Sequence, residues 1–311
     1  MNLKAFEALA DAGRKRFLYA ALATIYFYAV IKLHFATSQF VTYPRNLLLI
    51  HTRPRNLAIP LTLISCCALL AYLVYQSVKG KRRTVTLAYW ILLLSAGFVI
   101  FKFLLVHPVE IAHFFEYALG AVLVSKAWDP GGREFRFMEA VSITSLVGTF
   151  DEFYQFFVSS TVNCRYMDWM DIWLNIIGAG MGGLLIYGFK DYRNRDHKIN
   201  VPFIKKTLAL TVFVSALFVF LNASGRLHFH TAIRIPPGGM VQAGAGQFFL
   251  EREPGVYDSW QKTFRTGYFY VPGPRSGLLG ILFLYVFLIF YTPGLFRSFL
   301  GKVKSVLGNK G

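Results

Sequence analysis

Long apolar runs alternate with short basic segments along most of the chain. Eight of these runs have, or nearly have, the length of about 20 residues that an α-helix needs to cross the hydrocarbon core of a bilayer. The fourth, fifth and sixth runs carry more polar side chains than the others. The eight runs comprise residues 17–35, 57–76, 84–106, 108–126, 138–158, 170–189, 207–223 and 276–294. This pattern predicts an all-α protein, a polytopic transmembrane helix bundle of about eight spans.

The composition favours a membrane protein and excludes other classes. Of the 311 residues, 55% are apolar and 16% are charged, whereas soluble domains are about 45–50% apolar and about 25% charged. The aromatic content of 17% excludes a disordered chain. The net charge of +17 does not indicate nucleic-acid binding, because the basic residues stand between apolar runs rather than on one face. The three cysteines provide no disulfide framework.

The distribution of Lys and Arg predicts the orientation of the chain, since cytoplasmic loops carry the excess of these residues. When the N-terminus is placed in the cytoplasm, the segments on that side hold far more Lys and Arg than the short outer loops. We therefore predict that both termini are cytoplasmic and that the first run is an uncleaved span.

One sizeable segment outside the apolar runs, residues 224–275, lies on the predicted outer side. Its alternating stretches Leu227 to Ile235 and Gly267 to Val271, separated by Pro-Gly turns, predict short strands. The predicted parts of the chain are an N-terminal three-span region (1–106), a three-span core (107–190), a cytoplasmic basic loop with the seventh span (191–223), an extracytoplasmic loop domain (224–275), and the eighth span with a basic cytoplasmic tail (276–311).

Ionisable and amide side chains concentrate in the fourth, fifth and sixth runs, where by default they mark a functional site because their insertion is costly. They are Glu110, His113, Glu116 and Tyr117 in the fourth run, Asp151, Glu152 and Gln155 in the fifth, Asp168, Asp171 and Asn175 around the start of the sixth, and Arg165 in the loop before it. The predicted topology puts them near the outer side, so we predict one outward-facing polar site. The alternative is that they only hydrogen-bond helices together.

Small residues in the sixth run predict close helix packing. Gly178 and Gly182 follow Asp171 and Asn175 on the same helical face, within an arc of about 80°. A small-x-x-x-small pair of this kind lets another helix approach closely. The sequence therefore places the polar site and a helix-packing surface on one face.

The spacing of these residues resembles that of VanZ-like membrane proteins. The matching motifs are Glu110-x-x-His113-x-x-Glu116-Tyr117-x-Leu119-Gly120, then Asp151-Glu152-x-x-Gln155-x-Phe157, then Arg165 followed by Asp171-x-x-x-Asn175-x-x-Gly178-x-x-x-Gly182. This chain departs from the family in two places: Ser159, Ser160 and Thr161 stand where Pro-Gly-Arg is usual, and Glu110 takes a position that is often Lys. The other runs and the outer loop lie outside the resemblance.

The resemblance implies a protein of the bacterial cytoplasmic membrane and cell envelope. The family is named for a link to glycopeptide-antibiotic resistance and has no agreed reaction. The sequence leaves open whether this protein is an enzyme, and it does not name a substrate or an oligomeric state. We predict membrane lipid as a partner, with a lipid-linked envelope precursor as the further candidate, and no nucleic acid.

The first functional hypothesis is an enzyme that acts on an envelope lipid or lipid-linked precursor. A histidine beside carboxylates can act as general base or acid, and an arginine can hold a phosphate with two hydrogen bonds. The predicted catalytic residues are His113, Glu152, Asp171 and Glu110. The predicted substrate-binding residues are Arg165, Gln155, Asn175, Tyr117, Asp151, Asp168 and Glu116. Three outer-loop arginines, Arg226, Arg234 and Arg252, are predicted to recruit an anionic headgroup.

Two other hypotheses remain open. Glu110-x-x-His113 resembles half of a carboxylate-bridged metal motif, and two histidines at 228 and 230 would point the same way on a strand. Because this Glu-x-x-His is the only one in the chain, we predict no cofactor and keep a metal ion as an alternative. The third hypothesis is a non-catalytic module that binds an amphiphile or antibiotic, or an envelope partner, through the aromatic residues of the outer loop.

Overall fold

The computed structural model describes residues 3–41, 75, 83–104, 111–130, 134–156, 166–189, 201–232, 247–262 and 268–292. These residues are mostly helical, as the apolar runs predict. The helices are α1 (Leu3–Val41), α2 (Arg83–Phe103), α3 (Ile111–Trp128), α4 (Phe137–Tyr154), α5 (Trp169–Tyr187), α6 (Val201–Ala223) and α7 (Pro274–Ile289). Apart from Tyr75, the predicted run 57–76 lies outside the described residues.

Three helices in the described part of the chain are long and apolar enough to cross a membrane. They are α2 over Thr84–Phe103, α5 over Trp169–Tyr187, and α6 over Pro202–Ala223. Helix α7 is apolar but has 16 residues, and polar side chains lower the hydropathy of α3 and α4. The predicted number of about eight spans is therefore not supported by the described residues. What holds is a largely helical protein with helices suited to a bilayer.

Helix α5 is the centre of the helix bundle. In an 18-residue apolar stretch of α5, 83% of the residues are buried, against 6% in an 18-residue stretch of α6. Helices α2, α3, α4 and α7 all pack against α5. A helix that is apolar all round suits a buried position or a membrane span. Helix α5 is buried among its neighbours, whereas the exposed apolar surface of α6 suits contact with lipid.

The glycine face of α5 packs directly on the backbone of α3. A Cβ atom on Gly178 would clash with the carbonyl oxygen of Phe114, and one on Gly182 would clash with that of Ala118. The predicted close-approach surface is thus confirmed, and its partner is the helix that carries His113. Gly148 of α4 likewise leaves room for the Asn175 side chain.

Short strands form within residues 224–275, as the alternating pattern predicts. Strands β1 (Leu227–His228) and β2 (Phe248–Phe249) pair in parallel, and β3 (Ser259–Lys262) and β4 (Tyr268–Val271) form an antiparallel pair. This segment contacts the residues that lead into α5, because Met167 N–H donates to the carbonyl oxygen of Leu250 at 3.0 Å. That the segment forms a separate extracytoplasmic domain stays a prediction.

Candidate functional site

Three helices bring one histidine and two carboxylates together at one end of the bundle. Nδ1 of His113 lies 3.6 Å from Oε1 of Glu152, and Nε2 lies 3.9 Å from Oδ2 of Asp171. All three side chains are buried. His113 is near the start of α3, Glu152 is in the last turn of α4, and Asp171 is in the first turn of α5. We call these three residues the histidine–carboxylate cluster. The fourth predicted catalytic residue, Glu110, lies outside the described residues.

Asn175 orients the imidazole of the cluster. It is fully buried one turn after Asp171, and its Oδ1 lies 3.2 Å from Nδ1 of His113. Because an amide oxygen and a carboxylate can only accept, we assign the proton of a neutral His113 to Nδ1, where Asn175 and Glu152 both face it. The lone pair on Nε2 then faces Asp171.

Asp151 and Glu152 are neighbours in the last turn of α4, where the helix dipole disfavours negative charge. The hydroxyl of Tyr117 donates to Oδ2 of Asp151 at 3.0 Å. The side chain of Gln155 donates to Oε1 of Glu152 at 3.4 Å. The rings of His113 and Tyr117 lie one turn apart on α3 and are nearly parallel, with centroids 6.1 Å apart. Hydrogen bonds from Tyr117 and Gln155 thus partly offset the unfavourable position of these carboxylates.

Asp168 caps the start of α5 rather than joining the cluster. Its side chain accepts from the N–H of Met170 at 2.9 Å, the usual role of an aspartate at an N-cap. Burial disfavours the charged form and raises the pKa of Asp168 to about 6, although the backbone hydrogen bonds from Met170 and Asp171 act in the opposite direction. Asp168 therefore titrates in a pH range where most aspartates are ionised.

Of the two remaining predicted site residues, the structure describes one, Glu116. Glu116 is half-buried, and the hydroxyl of Tyr26 donates to its backbone oxygen at 2.9 Å. Arg165 lies outside the described residues, so its predicted contact with a phosphate stays a prediction, as do the catalytic and binding roles of the other site residues.

One of the predicted headgroup-recruiting arginines is buried. Nη2 of Arg252 donates to the backbone oxygen of Phe156 at 2.7 Å, and the guanidinium carbon lies 4.8 Å from the centre of the Phe156 ring. Arg252 is thus fixed against the end of α4, and the expectation that it recruits a headgroup at the surface is wrong. Arg226 is exposed, and Arg234 lies outside the described residues.

The two outer-loop histidines have different partners. His228 stacks on Phe249, with ring centroids 4.7 Å apart. Nδ1 of His230 lies 3.5 Å from Oε2 of Glu251. That these two histidines share a metal ion stays a prediction.

The sequence reasoning missed Glu251, a carboxylate that organises the outer segment. Glu251 is fully buried, and its Oε1 accepts from the N–H groups of Val256 and Tyr257 at 2.6 and 3.0 Å. Its Oε2 accepts from the N–H of Thr231 at 3.1 Å. The available signal was an acidic residue three positions before the Pro254-Gly255 turn, since buried backbone N–H groups need an acceptor.

The cluster lies within a part of the chain that matches a known family. Residues 63–190, about two fifths of the chain, match the family model described as VanZ/LLP1. The match includes α2, α3, α4 and α5, and therefore all three residues of the histidine–carboxylate cluster. This confirms the predicted resemblance of the core to VanZ-like proteins. Neither a curated protein nor a solved structure matches the chain.

Proposed function

We propose that this VanZ-like protein is a multi-pass protein of the bacterial inner membrane, with both termini cytoplasmic, that acts on a lipid or lipid-linked precursor of the cell envelope. The apolar helices, the match over residues 63–190 and the distribution of basic residues support this proposal. The number of about eight spans is also a proposal. Three helices among the described residues reach the length and hydropathy of a clear span.

The position of His113 between two buried carboxylates is the observation that carries the proposal. Histidine titrates near neutral pH and is the commonest general acid or base. Glu152 lies near Nδ1 and Asp171 near Nε2 of the ring, and both would stabilise the imidazolium that forms when His113 takes a proton. We propose that His113 transfers the proton and that the two carboxylates orient and stabilise its ring.

A purely structural role explains the cluster less well. Each charged carboxylate costs about 2.5–3.5 kcal/mol at the centre of a bilayer and less near its surface. Side chains that only join helices need no charge, because Asn or Gln can make the same hydrogen bonds. Two carboxylates around one histidine are therefore better explained by proton transfer than by helix packing alone.

The depth of the cluster favours a headgroup as the substrate. The cluster lies at the beginning of α3 and α5 and at the end of α4, not at mid-helix. The end of a spanning helix lies near the membrane surface, where the polar headgroups of lipids are found. The bond that reacts would then belong to the headgroup of an amphiphile, whose chains remain among the exposed apolar side chains of the helices.

A groove beside α6 supports a second candidate, a non-catalytic amphiphile-binding module. The groove has a volume of about 410 Å³ and is lined by Leu221, Arg226, Leu227 and Phe248. Three apolar side chains and one exposed arginine suit an amphiphile with an anionic headgroup. Function in this case would depend on Arg226 and Phe248 and would tolerate changes at His113.

The test is lipid turnover by the full-length protein in vesicles of bacterial inner-membrane lipid extract, followed by mass spectrometry. We expect His113→Ala to lower the rate by at least about 100-fold, the usual contribution of a general acid or base. His230→Ala is the matched histidine control and should keep the wild-type rate. The proposal is overturned if the His113→Ala protein folds, inserts and keeps full activity.

The same vesicles separate the two candidates. If lipid is bound but never altered, and Arg226→Ala and Phe248→Ala lose binding while His113→Gln retains it, the binding module is the correct function. If lipid is altered and only the His113 variants lose the reaction, the catalytic proposal holds.

A further inference from the structure

The histidine–carboxylate cluster has the donor set and the compactness of a metal site. His113, Glu152 and Asp171 each offer one ligand atom, and these atoms lie within 4.8 Å of one another. Ligand atoms around one zinc ion are about 3.3–3.6 Å apart, given Zn–N and Zn–O bonds of about 2.0–2.2 Å. An ion would therefore need to draw the three side chains together by about 1 Å, which rotamer changes can supply.

The geometry around His113 provides a second, independent indication. The 3.9 Å separation between Nε2 of His113 and Oδ2 of Asp171 is too long for a hydrogen bond. The hydrogen bond from Nδ1–H to Asn175 directs the Nε2 lone pair towards that gap. In metal sites the ligating histidine almost always donates its other N–H to a neighbouring acceptor, which fixes the tautomer and the ring orientation.

The burial of Asn175 supports this orienting role. The amide is fully buried, and within the described part of the chain its Nδ2 has no hydrogen-bond partner. Burial of an amide N–H without a partner is destabilising, because the group gives up its hydrogen bonds to water. The hydrogen bond of Asn175 to His113 is thus retained at a cost in stability, as expected when the orientation of the ring is needed for function.

We propose that Nε2 of His113 and one carboxylate oxygen each of Glu152 and Asp171 bind a single divalent cation. The two carboxylates balance the charge of the ion, and neutral imidazole is a common ligand for zinc and other transition ions. Three protein ligands leave at least one coordination position open, the arrangement of catalytic rather than structural sites. The open position can take a phosphate or carbonyl oxygen of a substrate.

For its role in catalysis this inference rests on the proposed function, and it changes the part that His113 plays. With a cation bound, His113 is a ligand, and the ion rather than the imidazole polarises the substrate. The metal site itself is independent of the substrate, so it can be tested without an activity assay.

The test is metal analysis of the full-length protein in detergent, after loading with Zn²⁺ or Mn²⁺ and removal of unbound ions. We expect about one ion per chain for the wild type, as for a three-ligand site, and at least a tenfold loss in His113→Ala, Glu152→Gln and Asp171→Asn. His230→Ala and Glu139→Gln are the matched controls and should keep the ion. Glu139 is a buried carboxylate near the other end of α4.

A second measurement, thermal unfolding with and without the ion, tests the site even if the ligand variants do not fold. The same divalent ions should raise the Tm of the wild type, and Asn175→Leu should weaken binding by about 10–100-fold because it removes the acceptor but none of the ligands. The inference is overturned if the folded wild type holds no stoichiometric ion in either case, or if the three ligand variants keep it. If lipid turnover needs His113 but is unaffected by a chelator, the proposed function holds and a metal ion has no part in the reaction.

Discussion

The two ends of α4 each carry a buried glutamate, yet these side chains have different partners. Glu139 and Glu152 are 5% and 4% exposed. Glu139 is in the first turn, where the helix dipole favours negative charge, and Nη1 of Arg136 donates to it at 3.0 Å. Glu152 is in the last turn, where the dipole opposes it, and faces His113. Both glutamates are therefore buried. What distinguishes Glu152, in the candidate site, is its histidine partner and its position in the last turn of the helix.

At the end of the bundle around Glu139, the carboxylates have an arginine or a backbone N–H group as partner. Arg136 also forms an ion pair with Glu134, and Oδ2 of Asp129 accepts from the N–H of Glu134 at 2.7 Å. These contacts fix the connection between α3 and α4. The contacts at that end thus stabilise a loop, whereas the contacts of the histidine–carboxylate cluster join three helices around an ionisable ring.

The largest expected effect is the difference between the two glutamate variants. Glu152→Gln should lower lipid turnover by at least about 100-fold, since it removes a charge from the acid–base site. Glu139→Gln should keep the rate and lower stability by about 1 kcal/mol or less, because its partner Arg136 is partly exposed. Turnover in vesicles and thermal unfolding in detergent measure the two quantities. Equal turnover in the two variants would remove the distinction drawn between the two ends.

Substitutions on the glycine face test whether close helix packing holds the cluster together. Gly182→Ala should lower the free energy of unfolding by about 1–3 kcal/mol, as overpacking does, because its Cβ would meet the carbonyl oxygen of Ala118. Gly97→Ala is the control, since a Cβ there would have an ordinary contact with Phe114 at 3.6 Å. Thermal unfolding measures both. A tolerated Gly182→Ala would show that α3 and α5 are not in close contact.

A smaller effect is expected where the outer segment contacts the start of α5. The hydroxyl of Tyr257 lies 2.8 Å from the carbonyl oxygen of Leu250 and accepts from the N–H of Met167 at 3.1 Å. Tyr257→Phe should lower stability by about 0.5–1.5 kcal/mol, the usual net value of a hydrogen bond. Faster amide hydrogen exchange confined to residues 247–262 and 166–168 would support this, and unchanged exchange would exclude an anchoring role for the hydroxyl.

The subtlest prediction concerns the pH dependence of stability at Asp168. Its pKa of about 6 lies above the ordinary value of 3.8, so between these values the folded state binds more protons than the unfolded state. Stability should therefore fall as the pH rises from about 4 to about 6. Asp168→Asn keeps a capping oxygen and should remove this contribution. Thermal unfolding across that pH range checks it, and an identical slope in the variant would contradict the assigned titration.

The sequence predicted the positions of the described helices because apolar runs and their lengths are local properties. It also predicted that His113, Glu152 and Asp171 lie together, since helical periodicity and alternating span direction place them at one end. It could not predict that Arg252 is buried against Phe156, or that Glu251 accepts hydrogen bonds from the backbone of the outer segment. Those contacts depend on how the outer segment packs, which no local pattern encodes.

The most direct test of the central claim is a structure of the Glu152→Gln variant in nanodiscs made from bacterial inner-membrane lipid. The variant should bind its substrate without converting it. We expect headgroup density between α3, α4 and α5, with an oxygen within about 3.2 Å of His113 or Asp171 for a hydrogen bond, or within about 4 Å where the two share an ion. Headgroup density only in the groove lined by Leu221, Arg226 and Phe248, with the histidine–carboxylate cluster closed, would contradict the claim.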